Sequence, residues 1–200
     1  MFTGIIEQTA IVNTLEHKQN NLEISLACPI AHELRVDQSV SHNGVCLTVT
    51  DIDIKHNVYK VTAVKETLLR TNLGLLRIGN KVNIERCLKL NSLLDGHLVQ
   101  GHVDTVGRCT KVEELGGSYY FHFEYEPTDK SGYVTVEKGS VTVNGVSLTV
   151  VNSMENAFSV AIIPYTFEHT NFKQLKVNDI VNIEFDIIGK YIAKLMLQRK

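Results

Sequence analysis

The sequence predicts an all-β protein built from two tandem, duplicated small β-barrels, followed by a C-terminal α-helix. Three observations support this fold class. Short segments along the chain alternate apolar and polar residues with a period of two, which is typical of half-buried strands. Each half contains an Asn-Gly pair, which favours a tight turn with positive φ. Several motifs recur 97 to 101 residues apart, which indicates an internal duplication.

The duplication rests on four matches that keep the same order along the chain. NGVCLTV at 43–49 recurs as NGVSLTV at 144–150, an offset of 101 residues. The other matches pair 82–85 with 181–184, 67–73 with 166–172, and 3–7 with 100–104. We therefore expect a first domain over 1–94, a second over 95–186, and a helical tail over 187–200. No Pro- or Gly-rich linker separates the halves, so we expect them to pack closely.

Both halves contain strand-like segments. In the repeated motif, Val45, Leu47 and Val49 alternate with smaller or more polar residues, so one face of this strand is expected to lie in the core. Similar segments lie at 58–64, 81–84, 119–124, 158–163 and 180–185. Many short strands with turn signals favour a closed barrel in each half.

Helical patterns are few. Short helical turns are predicted at 29–34 and 66–69, and a longer helix begins near Asp186, a good N-cap. In that helix Ile188, Tyr191, Ile192 and Leu195 follow the spacing of one apolar face.

Composition and charge exclude several classes of function. With 200 residues, a net charge of −2 and 44% hydrophobic residues, the chain has neither the charge nor the basic patches expected of a nucleic-acid or membrane-surface partner. No apolar run is long enough to span a membrane. Four cysteines without Cys-x-x-Cys pairing and without a signal peptide lead us to expect a reducing cytoplasm. Phosphate-binding loops and the serine-hydrolase elbow are absent.

The residues alone leave the chemistry open. Cys46 and Thr48, and their counterparts Ser147 and Thr149, are expected to face away from the cores, where they could line a pocket or simply face solvent. His97 and His102 could titrate near neutral pH, although structural or surface roles explain them equally well. Their spacing falls in a strand-like stretch with no further ligands nearby, so we expect no metal. Lys65, Glu66 and Lys138 are equally well explained as solvated charges.

Five motifs together resemble the riboflavin synthase family over nearly the whole chain. They are MFTGII at 1–6, NGVCLTV at 43–49, KETL at 65–68, GHLVQGHV at 96–103 and NGVSLTV at 144–150. The resemblance implies two six-stranded Greek-key barrels. It implies that two molecules of 6,7-dimethyl-8-ribityllumazine become riboflavin and 5-amino-6-ribitylaminouracil, without cofactor or metal. It also implies a homotrimer held together by the C-terminal helix, with each active site between the first barrel of one protomer and the second barrel of its neighbour.

The resemblance also assigns roles to residues. His102 with Thr149 would assist proton transfer, and Ser147 and Cys46 would contact the pteridine or the nucleophile that adds to it. The first-barrel pocket would be lined by Gly4, Ile5, Ile6, Thr62, Ala63, Val64, Lys65, Glu66 and Thr67. The second-barrel pocket would be lined by Gly101, His102, Val103, Ser147, Leu148, Thr149, Ile162, Ile163, Pro164, Tyr165, Thr166 and Phe167. Cys46, Leu47 and Thr48 would also bind substrate, and Lys138 would reach the ligand of an adjacent chain. Phe2 would pack at the site, with His97 and Asp186 as polar support.

Three other functions compete with this one. A non-catalytic lumazine- or flavin-binding protein of the same fold would have altered pocket residues in the second half, whereas His102, Ser147 and Thr149 are all present. A flavin reductase barrel would need a nicotinamide-binding domain, for which the chain has neither room nor motif. A purely structural duplicated β-protein is the third alternative.

Overall fold

The computed structural model describes residues 1–126 and 132–198, which form two closed six-stranded antiparallel β-barrels. The strands of the first barrel are β1 (Gln8–Lys18), β2 (Asn21–Ala27), β3 (Ser39–His42), β4 (Val45–Asp53), β5 (Val58–Ala63) and β6 (Lys81–Arg86). Those of the second are β7 (Thr105–Leu115), β8 (Ser118–Tyr125), β9 (Ser140–Val143), β10 (Val146–Ser153), β11 (Ala157–Ile162) and β12 (Ile180–Phe185). Neighbours around the first barrel run β1-β2-β5-β4-β3-β6, and the second repeats this order. The predicted duplicated barrels are confirmed.

Three α-helices and four 3-10 turns complete the described chain. The helices are α1 (Lys65–Arg70), α2 (Pro164–His169) and α3 (Ile187–Leu197), and the 3-10 turns are Ala31–Glu33, Ile54–His56, Asn72–Leu75 and Asn171–Gln174. The carboxylate of Asp186 accepts the backbone N–H of Ile188 at 3.0 Å, which caps α3 as its sequence predicts. Residues 199 and 200 of the expected helical tail lie outside the described residues. Among the described helices, none has the length and apolarity needed to cross a membrane.

Each barrel encloses its own apolar core, and strand alternation decides which side chains enter it. Val45, Leu47 and Val49 are buried, whereas Thr48 on the same strand is exposed, as the period-two pattern predicts. The second core is richer in aromatic rings, contributed by Phe121, Phe123, Phe158, Phe172 and Phe185. Burying one large apolar side chain contributes about 1.5–3 kcal/mol to the free energy of folding. Each half buries many such side chains, so each has a core that can support its barrel.

Equivalent β-bulges bend the strands of both barrels. The register of β4 with β5 shifts between Val49 and Asp51, and that of β10 with β11 shifts between Val150 and Asn152. An extra residue on one strand increases local bending and twist, which helps a six-stranded sheet to close on itself.

The two barrels meet at their Asn-Gly turns. Asn43 and Gly44 both have positive φ, and a Cβ atom on Gly44 would lie 2.9 Å from the backbone nitrogen of Gly145. Only glycine allows the two turns to approach this closely. The predicted close packing of the halves is therefore made by the very residues that signalled the turns.

Six asparagines hydrogen-bond the barrels to one another with approximate twofold symmetry. They are Asn43, Asn72 and Asn83 of the first half and Asn144, Asn171 and Asn182 of the second. The Asn83 amide donates to the backbone carbonyl of Asn144 at 3.0 Å, and the Asn182 amide donates to that of Asn43 at 2.8 Å. The Asn83 side-chain oxygen accepts the N–H of Asn171 at 2.7 Å, and that of Asn182 accepts the N–H of Asn72 at 2.6 Å. All six lie in the repeated motifs, which therefore encode the contact between the barrels.

Candidate active site

The repeated strands β4 and β10 each present a small polar face away from the core. We call the side of β4 with Cys46 and Thr48 the first-barrel face, and the side of β10 with Ser147 and Thr149 the second-barrel face. Cys46 and Ser147 are half-buried, whereas both threonines are exposed. The two faces occupy equivalent places on equivalent barrels.

Two extended segments cross between the barrels to reach these faces. The N-terminal segment (residues 1–6) leads into the first barrel, yet its Gly4 carbonyl accepts the N–H of Ser147 at 2.8 Å. The linker segment (residues 96–104) leads into the second barrel, yet its Gly101 carbonyl accepts the N–H of Cys46 at 2.8 Å. The segments touch each other where Phe2 and Val99 form an isolated antiparallel bridge. Each face is thus completed by chain from the other half.

Glycine is required where each segment touches its face. Gly4 and Gly101 both have a φ of 79°, a left-handed conformation that suits glycine. A Cβ atom on Gly4 would lie 2.5 Å from the Cβ of Ser147, and one on Gly101 would lie 2.7 Å from the Cβ of Cys46. The tight approach explains the echo between residues 3–7 and 100–104.

The crossing corrects the pocket assignments made from the sequence. Gly4–Ile6 was assigned to the first-barrel pocket and Gly101–Val103 to the second, but the structure exchanges them. Ile6 packs against the second core, and Val103 packs against the first. Chain order pairs each segment with the barrel that follows it, whereas the hydrogen bonds to β4 and β10 place each segment on the other barrel.

The crossing also separates His102 from Thr149 within one chain. His102 follows Gly101 on the first-barrel face and is exposed, whereas Thr149 is exposed on the second. Among the described residues, no hydrogen bond joins the two. Their partnership in proton transfer stays a prediction, and the structure places the two residues on different faces of the single chain.

His97 is the histidine that contacts the second-barrel face. Its Nδ1 atom lies 2.7 Å from the Ser147 Oγ atom, within hydrogen-bonding distance. Burial lowers the pKa of His97, while the charge of Asp186 opposes the shift. Of the two residues predicted as polar support, His97 contacts Ser147, whereas Asp186 caps α3 and acts on His97 through its charge.

The remaining predicted lining residues fall into two groups according to exposure. Leu47, Ala63, Leu148 and Ile162 are all buried within the barrel cores, so their backbone groups are the part nearest to the faces. Phe2 is fully buried beside Gly101, at the crossing of the two segments.

Strands β5 and β11 lie beside β4 and β10 and continue into α1 and α2. Their exposed or half-buried predicted residues are Thr62, Val64, Lys65, Glu66 and Thr67 in the first half and Ile163, Pro164, Tyr165, Thr166 and Phe167 in the second. The Phe167 ring stacks on Tyr119 with centroids 3.7 Å apart, which ties it to the wall of the barrel.

Lys138 lies in the loop before β9. It is exposed, has a φ of 62°, and donates its backbone N–H to the carbonyl of Val150 at 2.9 Å. No described contact links its side chain to either face of the same chain, so its expected contact with a neighbour's ligand stays a prediction.

Two grooves of the single chain lie away from the two faces. One, of about 680 Å³, lies between the barrels at the asparagines, and another, of about 750 Å³, is bordered by Ile5, Glu33 and Arg86. Neither includes Cys46, His102 or Ser147. In the single chain, Thr48, Thr149 and His102 are exposed on these faces. Within the described ranges, no group of three or more His, Cys, Asp or Glu side chains could hold a metal ion.

A family model identifies the class of protein to which the two barrels belong. The family model of the lumazine binding domain matches residues 3–87 and again residues 100–186. The chain is therefore a tandem lumazine-binding-domain protein, and the two matches correspond to the two barrels.

Relatives of known function match over the full length. The riboflavin synthase of Actinobacillus pleuropneumoniae is 37% identical over 100% of this chain and 91% of its own length. That of Mycobacterium bovis is 38% identical, covering 98% of both chains, and that of Bacillus subtilis is 36% identical, covering 98% of this chain and 90% of its own. The chain belongs to the riboflavin synthase family.

Solved structures support the architecture. The crystal structure of LumP complexed with 6,7-dimethyl-8-(1'-D-ribityl) lumazine has a TM-score of 0.81, and the riboflavin complex of LumP has one of 0.82. Each is 22% identical and covers 92% of this chain, with 98% and 99% of the LumP chain matched. At this identity, the likeness supports the two-barrel fold alone.

Proposed function

We propose that the protein catalyses the riboflavin synthase reaction on two molecules of 6,7-dimethyl-8-ribityllumazine. One molecule donates a four-carbon unit to the other, which gives riboflavin and 5-amino-6-ribitylaminouracil. Full-length relatives at 36–38% identity are riboflavin synthases, and this supports the assignment. The atoms of the two products equal those of two substrate molecules, so the transfer needs no external oxidant or reductant, and we propose no cofactor.

The observation that carries the proposal is the pair of equivalent faces with unlike reactive groups. Two copies of one substrate suit two copies of one binding scaffold. The first-barrel face offers Cys46 and His102, whereas the second offers Ser147 and His97. Like rings held on unlike faces can take the unlike roles of donor and acceptor.

A homotrimer would complete the site. Stacking the first-barrel face of one protomer on the second-barrel face of the next would bring His102 close to Thr149 of the partner subunit. Helix α3 supports association, since Ile188, Tyr191, Ile192 and Leu195 are all more than half exposed in the single chain. Holding two rings in register would supply much of the rate enhancement through orientation.

Within that assembly we assign the following roles. His102 with Thr149 of the partner subunit transfers the proton of the acidic lumazine methyl group. Ser147, with His97 behind it, and Cys46 contact the pteridine or the adding nucleophile. Lys138 reaches the ligand of an adjacent protomer. The four cysteines are free, which fits the cytoplasm as the compartment.

Incubation of the purified protein with 6,7-dimethyl-8-ribityllumazine alone tests the proposal. We expect riboflavin fluorescence to appear without added cofactor and to be unaffected by EDTA. The competing function is a lumazine- or flavin-binding protein without activity. Tight binding of the lumazine with no riboflavin formed would establish that function and overturn ours. Loss of activity with EDTA, restored by one divalent ion, would overturn the metal-free mechanism.

A further inference from the structure

Two buried glutamates hold the crossing segments. Glu85 on β6 accepts the backbone N–H of Thr3 at 2.6 Å and that of Gly4 at 2.9 Å. Glu184, its counterpart on β12, accepts the N–H groups of Gln100, Gly101 and His102 at 2.7, 3.0 and 3.0 Å. Burial raises the pKa of both carboxyls, and the backbone donors oppose the rise. These hydrogen bonds compensate for removing the two carboxylates from water.

A second carboxylate anchors each segment at its far end. Glu7 accepts the backbone N–H of Arg86 at 2.7 Å, and Asp104 in the equivalent position accepts that of Phe185 at 2.9 Å. Asp104 is also paired with Lys190 of α3. Each segment is therefore held at two points. Glu85 or Glu184 holds the residues that touch a face, and Glu7 or Asp104 holds the end that enters the barrel.

The crossing makes this dependence reciprocal between the barrels. Glu184 belongs to the second barrel, but the residues that it holds, Gly101 and His102, lie on the first-barrel face. Glu85 belongs to the first barrel, but it holds Gly4, which lies on the second-barrel face. We infer that Glu184 positions His102 and covers Cys46 on the first-barrel face, and that Glu85 positions the N-terminal segment on the second-barrel face.

Glutamine is the informative substitution at both positions. It keeps the size of the side chain, but it replaces one acceptor oxygen with an NH₂ group that faces backbone N–H donors. At Glu184 the segment then loses at least one of three hydrogen bonds and gains a donor–donor contact in a buried place. The segment should detach locally while the barrel remains folded.

The rate of Cys46 alkylation by iodoacetamide reports that detachment without relying on catalysis. Cys28 and Cys109 are buried, and a Cys87→Ser background removes the other accessible thiol. We expect Glu184→Gln to speed alkylation of Cys46 by about tenfold, the change that loss of one hydrogen bond of ordinary strength produces. The matched variant Glu85→Gln, in the same barrel as Cys46, should leave the rate within about twofold.

The contrast between the variants decides the inference. A purely structural role would make Glu85→Gln the more exposing change, because Glu85 and Cys46 share a barrel. Equal rates in the two variants, or a larger rate in Glu85→Gln, would overturn the inference. If the glutamine variants fail to fold, Glu184→Asp and Glu85→Asp supply the same contrast, since a shorter side chain withdraws the carboxylate from the segment.

The effect on turnover rests on the proposed function, whereas the alkylation contrast does not. We expect Glu184→Gln to lower kcat by about tenfold or more and to change KM much less, because displacing a reactive group by about 1 Å slows chemistry more than binding. An unchanged kcat with the alkylation contrast present would limit Glu184 to shielding Cys46. A native protein without any riboflavin formation would refute the proposed function and leave the alkylation result standing.

Discussion

The Nδ1 atom of His97 lies 2.7 Å from the Oγ atom of Ser147, although 50 residues separate the two in the chain. His97 belongs to the linker segment and Ser147 to β10. The counterpart of Ser147 in the first half is Cys46, which has no described histidine hydrogen bond. The second-barrel face therefore carries a hydroxyl that is hydrogen-bonded to a histidine, whereas the thiol on the first-barrel face has no such hydrogen bond among the described residues.

We predict that His97 and Ser147 act on turnover as one unit. His97→Gln and Ser147→Ala should each lower kcat/KM, and the double variant should lower it little more than the worse single variant. The coupling energy from such a cycle should be about 1 kcal/mol or more, as found for residues in direct contact. Steady-state kinetics of the four proteins measures it. Strict additivity would show that the hydrogen bond has no part in catalysis.

The sequence indicates His97 as a candidate polar group but not as the partner of Ser147, because 50 residues separate the two in the chain. The outward faces of β4 and β10 can be predicted, because apolar and polar residues alternate along each strand with a period of two. The contacts of Gly4 with Ser147 and of Gly101 with Cys46 join residues 143 and 55 positions apart, and no local pattern encodes them. The placement of the two segments therefore could not be predicted from the sequence.

We predict that His102→Gln lowers turnover by about 10²-fold or more, within the range for a general acid–base group. Riboflavin binding should fall much less, because most contacts with the ring would come from backbone groups of the faces, which this substitution does not change. Turnover and fluorescence titration of riboflavin measure the two effects. His17→Gln, at an exposed position on β1, is the control and should change neither. Equal losses of binding and turnover would make His102 a positioning residue.

We predict that removing α3 dissociates the assembly. A chain ending at Asp186, and the point variant Ile192→Glu, should sediment as smaller species and lose most activity, because the second face of each site comes from a neighbour. Ile54→Glu, which changes an exposed apolar residue in a 3-10 turn of the first barrel, is the matched control. An active monomer in analytical ultracentrifugation would contradict the shared site.

The buried asparagines give a prediction on stability. Asn83→Ala removes two donated hydrogen bonds and one accepted one at the contact between the barrels, and it leaves the carbonyl of Asn144 without this donor. We expect a loss of about 2–4 kcal/mol in the free energy of unfolding. Urea unfolding at a fixed protein concentration measures it. Asn13→Ala, at an exposed position on β1, should cost less than about 0.5 kcal/mol. A similar cost for both variants would show that the network does not join the barrels.

The last prediction concerns a pair that distinguishes the two barrel cores. His42 is buried, with Nδ1 3.0 Å from the carbonyl of Val40 and Nε2 2.9 Å from the hydroxyl of Tyr59. Because a carbonyl only accepts, Nδ1 carries the hydrogen, and Nε2 accepts from the tyrosine. Burial lowers the pKa of His42 to about 4. The equivalent positions in the second barrel are Val143 and Phe158, which are apolar and buried.

This pair should make stability depend on pH. The unfolded chain binds a proton at His42 with a pKa near 6.5, whereas the folded chain does so only near 4. The stabilising contribution is therefore complete above about pH 6.5 and is lost as pH falls towards 4, with a slope of up to about 1.4 kcal/mol per pH unit. The double variant His42→Val with Tyr59→Phe installs the pair of the second barrel and should remove this slope, while the carboxylates common to both proteins cancel in the comparison. Urea unfolding of both proteins between about pH 4.5 and 7.5 measures the difference. The upper limit lies about one pH unit above the ordinary histidine pKa. If the free-energy difference between the proteins stays constant across this range, His42 titrates normally in the folded protein and the buried neutral ring is refuted.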